Sequence, residues 1–437
     1  MSKLRLLIMA LCASLCGVGV YAQQPRVLTL EDIFALADEN SKTIQAENAA
    51  VTEAQQEIRE AENGRLPDIE FSASASFLGN GYLLDRDFSN GQSVKMPHFG
   101  NNFSLKATQL IYGGGAVSNS IAMAKLKHEM AAINREAARS RVRFMLTGFY
   151  LDLYKLQNLL TVYDRSIELA NVVIEDTRAR KSAGVVLQND ITRYELQLKN
   201  LELARKRTAN AAEILNYDIV TMLGLPAETV ISTDSTMLAT TVPLHNIEYW
   251  QSLAQDESPA IKQTAMAVQM NKTAEQLARA ERRPNIALVA ANHLDGPITI
   301  EVPVINKNFN YWYVGVGLSW NISSLYKSNK SIRRSQYATQ TSIRRHEEVS
   351  EQISLGIQAD YTKYLEAYDE VATLEKNVQL AQENYTVVET RYRNEIALVT
   401  DMLDAANQLL DAELQLANSR INVIFNYYKL KHTSGNL

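Results

Sequence analysis

Asp401 and Asp404 stand three positions apart where a helix is expected to begin, so their carboxylates share a face about one turn deep. Like charges so placed are costly unless a cation or a proton joins them. Asp190 opens an earlier helix in the same way. Asn189-Asp190 and Thr400-Asp401 both sit at helix starts, where a capping role is open to Asp190 and Asp401. Asp404 lies a turn further in, out of reach of a cap. Arg178, Arg180, Arg391 and Arg393 come just before these starts, where cations complement the negative end of a helix or pair with acids. Other chemistry finds no foothold. The six histidines (98, 128, 245, 293, 346, 432) are scattered, without HExxH or metal spacing. No GxSxG occurs, and Gly113-Gly114-Gly115 is not followed by Gly-Lys-Ser/Thr. Neither catalysis, nor a metal, nor a cofactor is expected.

The composition points to long helices. Only 18 glycines and 9 prolines occur in 437 residues. A hydrophobic content of 46% with 21% charged residues excludes a disordered chain and a bundle of membrane-spanning helices. A net charge of −5 argues against a nucleic-acid partner. Residues 1–22 read as a signal peptide: Lys3 and Arg5, an uncharged run from Leu6 to Val20, then Val20-Tyr21-Ala22 with cleavage before Gln23. Cys12 and Cys16 both follow leucine, so a lipobox is not expected. No later stretch is apolar for 18 residues, which leaves a β-barrel as the one way into a membrane.

The chain reads as two copies of one unit. Shifted by 217, Leu30 to Ala73 falls on Ile247 to Ala290, matching Leu36, Ala37, Ser41, Ile44, Arg65 and Pro67 among others. Shifted by 211, Tyr150 to Gly224 falls on Tyr361 to Gly435 and pairs Asp190 with Asp401. Repeat 1 spans 23–224, a linker 225–246, and repeat 2 247–437. Each copy opens with helices; Thr29 to Asp32 is a capping-box start, and Pro67 and Pro284 end the helical stretch. Strands are predicted at about 67–78, 101–112, 284–293 and 311–322. Ile69, Phe71, Ala73, Ala75 and Phe77 alternate strictly with polar residues. Trp312 and Trp320 share a face with Val314, Val316 and Leu318. The eight residues between them span about 26 Å at ~3.3 Å per residue, close to the apolar band of an outer-membrane barrel, roughly 25 Å between aromatic girdles.

Long coiled hairpins follow, at 116–223 and 325–432. Leu146, Phe149, Leu153, Leu156, Leu160, Tyr163, Ile167, Ala170, Ile174 and Thr177 step alternately by three and four, a coiled-coil seam. The second copy keeps the register from Ile357 to Val388, with Asp360 its one hydrophilic member. Four strands cannot close a barrel around a pore, and a strand edge cannot lie open in lipid. Three chains supply twelve strands. The fold expected is therefore mainly α with a membrane β-barrel: a homotrimer sharing a 12-stranded barrel, extended by an α-helical tunnel in the periplasm.

These residues carry a resemblance. The chain resembles the TolC family of outer-membrane efflux channels over nearly all of its length. The most specific match is Leu398-Val399-Thr400-Asp401-Met402-Leu403-Asp404-Ala405, similar to the family's V-D-V-L-D-A stretch; Gly184-Val185-Val186 through Asp190 is similar to its G-L-V…T-D stretch. The resemblance implies the passive exit duct of a tripartite efflux pump or type I secretion system. The implied partners are a periplasmic adaptor (membrane fusion) protein, an inner-membrane RND or ABC transporter, and outer-membrane lipid. It implies that Asp401, Asp404 and Asp190 line the periplasmic gate, that Arg178, Arg180, Arg391 and Arg393 hold it shut through salt bridges, and that Gly184 and Val185 touch the adaptor. Repeat 2 departs there, with Glu395-Ile396-Ala397 in place of the glycine turn. The alternatives are a periplasmic adaptor or a purely structural coiled coil.

Overall fold

A computed structural model describes residues 26–182, 184, 186–234, 243–394 and 396–437. The signal peptide assigned to 1–22, residues 235–242 of the linker, Val185 and Glu395 lie outside the described residues. In chain order the elements are β1 (Arg26–Leu28), α1 (Leu30–Asn40), α2 (Lys42–Asn63), β2 (Asp68–Phe77), β3 (Gly81–Leu83), β4 (Gln92–Val94) and β5 (Phe99–Gly113). The coiled hairpin α3 (Ala116–Ser182) and α4 (Gln188–Met222) comes next, then β6 (Ile231–Thr233), α5 (Ile247–Glu257), α6 (Pro259–Ala280), β7 (Asn285–Gly296) and β8 (Phe309–Ser319). The second coiled hairpin, α7 (Ser324–Arg393) and α8 (Val399–Ser434), completes the chain. Among the described residues, no helix is long and apolar enough to cross a membrane. Two compact units form, each drawing on both sequence copies.

The strand-bearing unit comprises residues 47–136 and 259–352. Its sheet has the order β2-β5-β7-β8, antiparallel throughout. One cross-strand row runs Ile69, Ala107, Ala290, Val314; another runs Phe71, Leu105, Asn292, Trp312. The opposite face is polar: Ser72 and Ser104 share a hydrogen bond of 2.8 Å, and His293 stacks on Tyr311 at 5.1 Å. The apolar face is uncovered, with Ile69 68%, Phe71 68%, Trp312 72% and Val316 70% exposed. The two-residue alternation of β5 breaks after Leu110, because a bulge between Leu110 and Tyr112 inserts one residue. β7 runs to Gly296, where Pro297 has no N–H for the ladder. β8 stops at Ser319, so Trp320 lies just past the strand, its Nε1 donating to Arg282 O at 3.1 Å. The chain turns from β5 into α3 through Gly114 (φ 64°), where a Cβ would stand 2.7 Å from Ala280 O.

The other unit comprises residues 26–46, 137–258 and 353–437. Every position of the two heptad seams is buried or half-buried. One core gathers Ile33, Leu146, Tyr150, Leu153, Ile219 and Leu223. A second gathers Trp250, Ile357, Tyr364, Ile424 and Leu430. Asp360, the hydrophilic seam member, is 6% exposed and satisfied: Lys429 Nζ stands 2.7 Å from Oδ1, and Thr433 Oγ1 donates to Oδ2 at 2.9 Å. Part of the expected linker is structured. β6 pairs in parallel with β1, and the Tyr150 hydroxyl donates to Leu28 O (2.7 Å) while accepting from Asp234 N (2.8 Å). The three-residue strands were invisible in the sequence because their bonds go to a distant segment and a tyrosine, not to a periodic neighbour.

Candidate gate at the ends of the helical hairpins

The ends of the two coiled hairpins carry the residues singled out above. Repeat 1 turns between Ser182 and Gln188, with Gly184 at φ 79° and nothing within 4 Å of the space a Cβ would fill. Repeat 2 turns between Arg393 and Val399 without a glycine. Its turn closes on the Arg391 carbonyl, which accepts from Ile396 N at 2.8 Å and Ala397 N at 3.3 Å. Beneath the turns lies a core of Ile174, Tyr194, Tyr385, Tyr392, Met402 and Ala405. Burial holds the Tyr194 and Tyr385 hydroxyls above the usual phenol range, so both are protonated.

Asp190 and Asp401 take the same place in their two helices. Asp190 Oδ2 accepts from Leu187 N at 3.0 Å, and Asp401 Oδ2 from Leu398 N at 3.0 Å. Each is the third helical residue reaching back to the cap amide. A leucine at the cap offers no side-chain acceptor, so only this half of a capping box forms. Neither aspartate is thus the N-cap itself; each serves its helix start from the third helical position. This leaves the second carboxylate oxygen of each outside that bond. Asp404 is exposed on the side of α8 away from buried Met402 and Ala405, and its Oδ2 accepts from Gln408 Nε2 at 2.8 Å.

The four arginines take separate partners. Arg178 pairs with Glu195 across the first hairpin at 2.7 Å, and Arg393 with Glu389 one turn back at 2.6 Å. Arg391 is exposed at the end of α7. Arg180 does more: it bonds Asp176 at 2.8 Å, stands 4.8 Å from the Tyr392 ring centroid, and donates to Tyr392 O at 3.4 Å. The Thr177 and Tyr392 hydroxyls lie 3.4 Å apart. Arg180 and Thr177 thus tie the first hairpin to the second. A further tie, Gln197 Nε2 to Asn407 Oδ1 at 2.7 Å, joins α4 to α8. Among the described residues, none of the four arginines is ion-paired with Asp190, Asp401 or Asp404. Tyr392 was missed in the sequence, although it continues the seam one heptad past Tyr385. Among the described residues no group of three or more His, Cys, Asp or Glu is placed to hold a metal ion.

A family model described as outer membrane efflux protein matches residues 250–436, from α5 to the end of α8. Over these residues the chain is similar to the outer membrane efflux proteins. Solved structures share the fold over 93% of the chain. An outer membrane protein from Vibrio cholerae, VceC, is 15% identical, with a TM-score of 0.77 and 96% of its chain covered. The MtrE outer membrane channel of Neisseria gonorrhoeae is 16% identical, with a TM-score of 0.73 and 88% covered. The CmeC outer membrane channel of Campylobacter jejuni is 14% identical, with a TM-score of 0.72 and 85% covered. Among curated proteins, none matches the chain by sequence.

Proposed function

We propose that this protein is the passive exit duct of a tripartite pump or type I secretion system, carrying solutes through the periplasm and the outer membrane. The observation that carries the reading is the sheet: one apolar face bare and, among the described residues, both outer edges unpaired. Such a sheet is unstable in water and equally unstable as a single open sheet in lipid. Three copies, twelve strands in all, close it into a barrel, and their coiled hairpins then ring one axis as a periplasmic tunnel. The helical ends face an adaptor, through Gly184 and Val185, and an energised inner-membrane transporter. The duct itself is passive, and the transporter supplies the energy. At the ends, three copies each of Asp401 and Asp404, flanked by Asp190, form a carboxylate-lined entrance. Arg180 holds the neighbouring hairpin in place, while Arg178, Arg391 and Arg393 serve as helix-end cations. The adaptor and structural coiled-coil readings leave the bare sheet face without a purpose. Planar-bilayer recording tests the duct: the purified protein is expected to insert and conduct in discrete steps, and a protein that never conducts contradicts it.

A further inference from the structure

Among the described residues the sheet ends on two strands with a free edge: β2 bonds only to β5, and β8 only to β7. Three antiparallel pairings separate them, so β2 and β8 run in opposite directions and β8 of one copy can pair antiparallel with β2 of another. The helix that leads into β2 is α2, and the helix that follows β8 is α7. Their charges are opposite. α2 carries Glu47, Glu53, Glu57, Glu60 and Glu62 against Lys42 and Arg59. From Ser324 to His346, α7 carries Lys327, Lys330, Arg333, Arg334, Arg344 and Arg345 and no acidic residue.

Each cluster sits at the wrong end of its own helix. Glu60 and Glu62 lie in the last turns of α2, next to the negative end of its dipole, and Lys327 and Lys330 in the first turns of α7, next to the positive end. Neither set stabilises the helix that bears it. On α7, Tyr326, Lys330, Arg333, Tyr337 and Arg344 form one exposed stripe, with Lys327 and Arg334 along its flank. The opposite face, Ser324, Ser328, Ile332, Thr339 and Ser342, is the one buried in the chain's own unit. On α2, Glu53 and Glu60 are exposed and seven positions apart, while Ala54 is buried. Glu57 pairs with Lys127 and Arg344 with Glu347; among the described residues, Glu53, Glu60, Lys327, Lys330, Arg333 and Arg334 are in no ion pair.

The depths match as well. Glu60 and Glu53 lie as far into α2 from Asn63 as Lys327 and Arg334 lie into α7 from Ser324, and both pairs are about 10 Å apart at ~1.5 Å per residue. We propose that the basic stripe of α7 docks along the acidic face of α2 of a second copy of this chain, Lys327 level with Glu60 and Arg334 level with Glu53, and that this charged seam sets which edges meet when the ring closes. Such a contact is head-to-tail, and it repeats identically around a closed ring. The ring itself rests on the barrel reading above; the polarity of the seam does not.

A charge swap separates the two. Lys327→Glu with Arg334→Glu, and separately Glu53→Lys with Glu60→Lys, are to be measured by native mass spectrometry in detergent, with circular dichroism to confirm helix content. Each double variant is expected to lose most of its trimer at concentrations where the wild type is fully assembled. Combining all four substitutions is expected to restore it. Doubles that assemble like the wild type, or a fourfold variant no better than either double, overturn the seam while leaving the ring standing; the stripe then serves another anion, such as lipid phosphates. A wild type that is monomeric in detergent overturns the ring and the seam with it.

Discussion

Asp401 spends one carboxylate oxygen on the Leu398 amide and Asp404 lies exposed a turn further on, so a cap and a charged lining are compatible on one helix start. In a three-fold ring, six such carboxylates at a narrow mouth favour cations. Multivalent cations are expected to block the channel from the helical side in planar bilayers. Replacing both aspartates with Ala is expected to abolish the block and weaken cation preference while the trimer persists, since neither lies on the heptad seam. Unchanged block returns both residues to the rank of helix-start and surface aspartates. His432 makes a second prediction at this scale. Its ring stacks on Phe144 at 4.7 Å and its Nδ1 lies 2.8 Å from Ser140 Oγ. Burial pushes its pKa below the ordinary histidine value and Arg141 adds to that, while Asp360 opposes it. A depressed folded pKa means that the stability is present above the unfolded value, near 6.5, and is lost as pH falls through the folded one. Thermal unfolding in detergent is expected to worsen on acidification below that value, and His432→Gln to flatten the dependence; an identical pH profile in the variant contradicts this. The aspartates at the helix starts were legible from sequence, because position and residue type suffice. The partners of the arginines were not, since Arg180 meets Tyr392 across two hairpins far apart in the chain.

Periodicity made the long elements readable. A seam stepping by three and four has one buried face whatever it packs against, and all ten positions of each copy turned inward. Asp360 is the informative exception: a charge survives there because Lys429 and Thr433 meet it. Removing Lys429 leaves a buried carboxylate without its counter-charge, and Lys429→Met is expected to destabilise the unit by about 3–5 kcal/mol; a melting temperature equal to that of the wild type contradicts that. The sheet offers a sharper test of its two faces. Val316 lies on the bare apolar face and is 70% exposed, opposite Leu288 on β7. Val316→Arg is expected to cost roughly 2–4 kcal/mol at mid-membrane, and Gly317→Ser on the other face little. Equal effects in unfolding from detergent or bilayer reverse the assignment. The bulge at Leu110 and Tyr112, the extra turns of pairing up to Gly296 and the β1–β6 ladder lay beyond sequence reading. Each depends on a neighbouring strand, and period-2 patterning reports only a strand's own faces.

At the scale of the whole molecule, the sequence copies and the compact units do not coincide: each unit takes parts of both repeats. Internal shifts of 217 and 211 reveal ancestry and register, but not which segments pack together. The proposed need for partners rests on a feature that was legible, an alternating four-stranded sheet, and such a sheet cannot satisfy its edges alone. That need is the centre of the account. The most direct measurement is the mass of the protein purified from outer membranes in mild detergent. The account predicts a complex of three chains that falls out of solution when detergent is removed. A monomer that stays folded and soluble without detergent contradicts the barrel, the ring and the duct together.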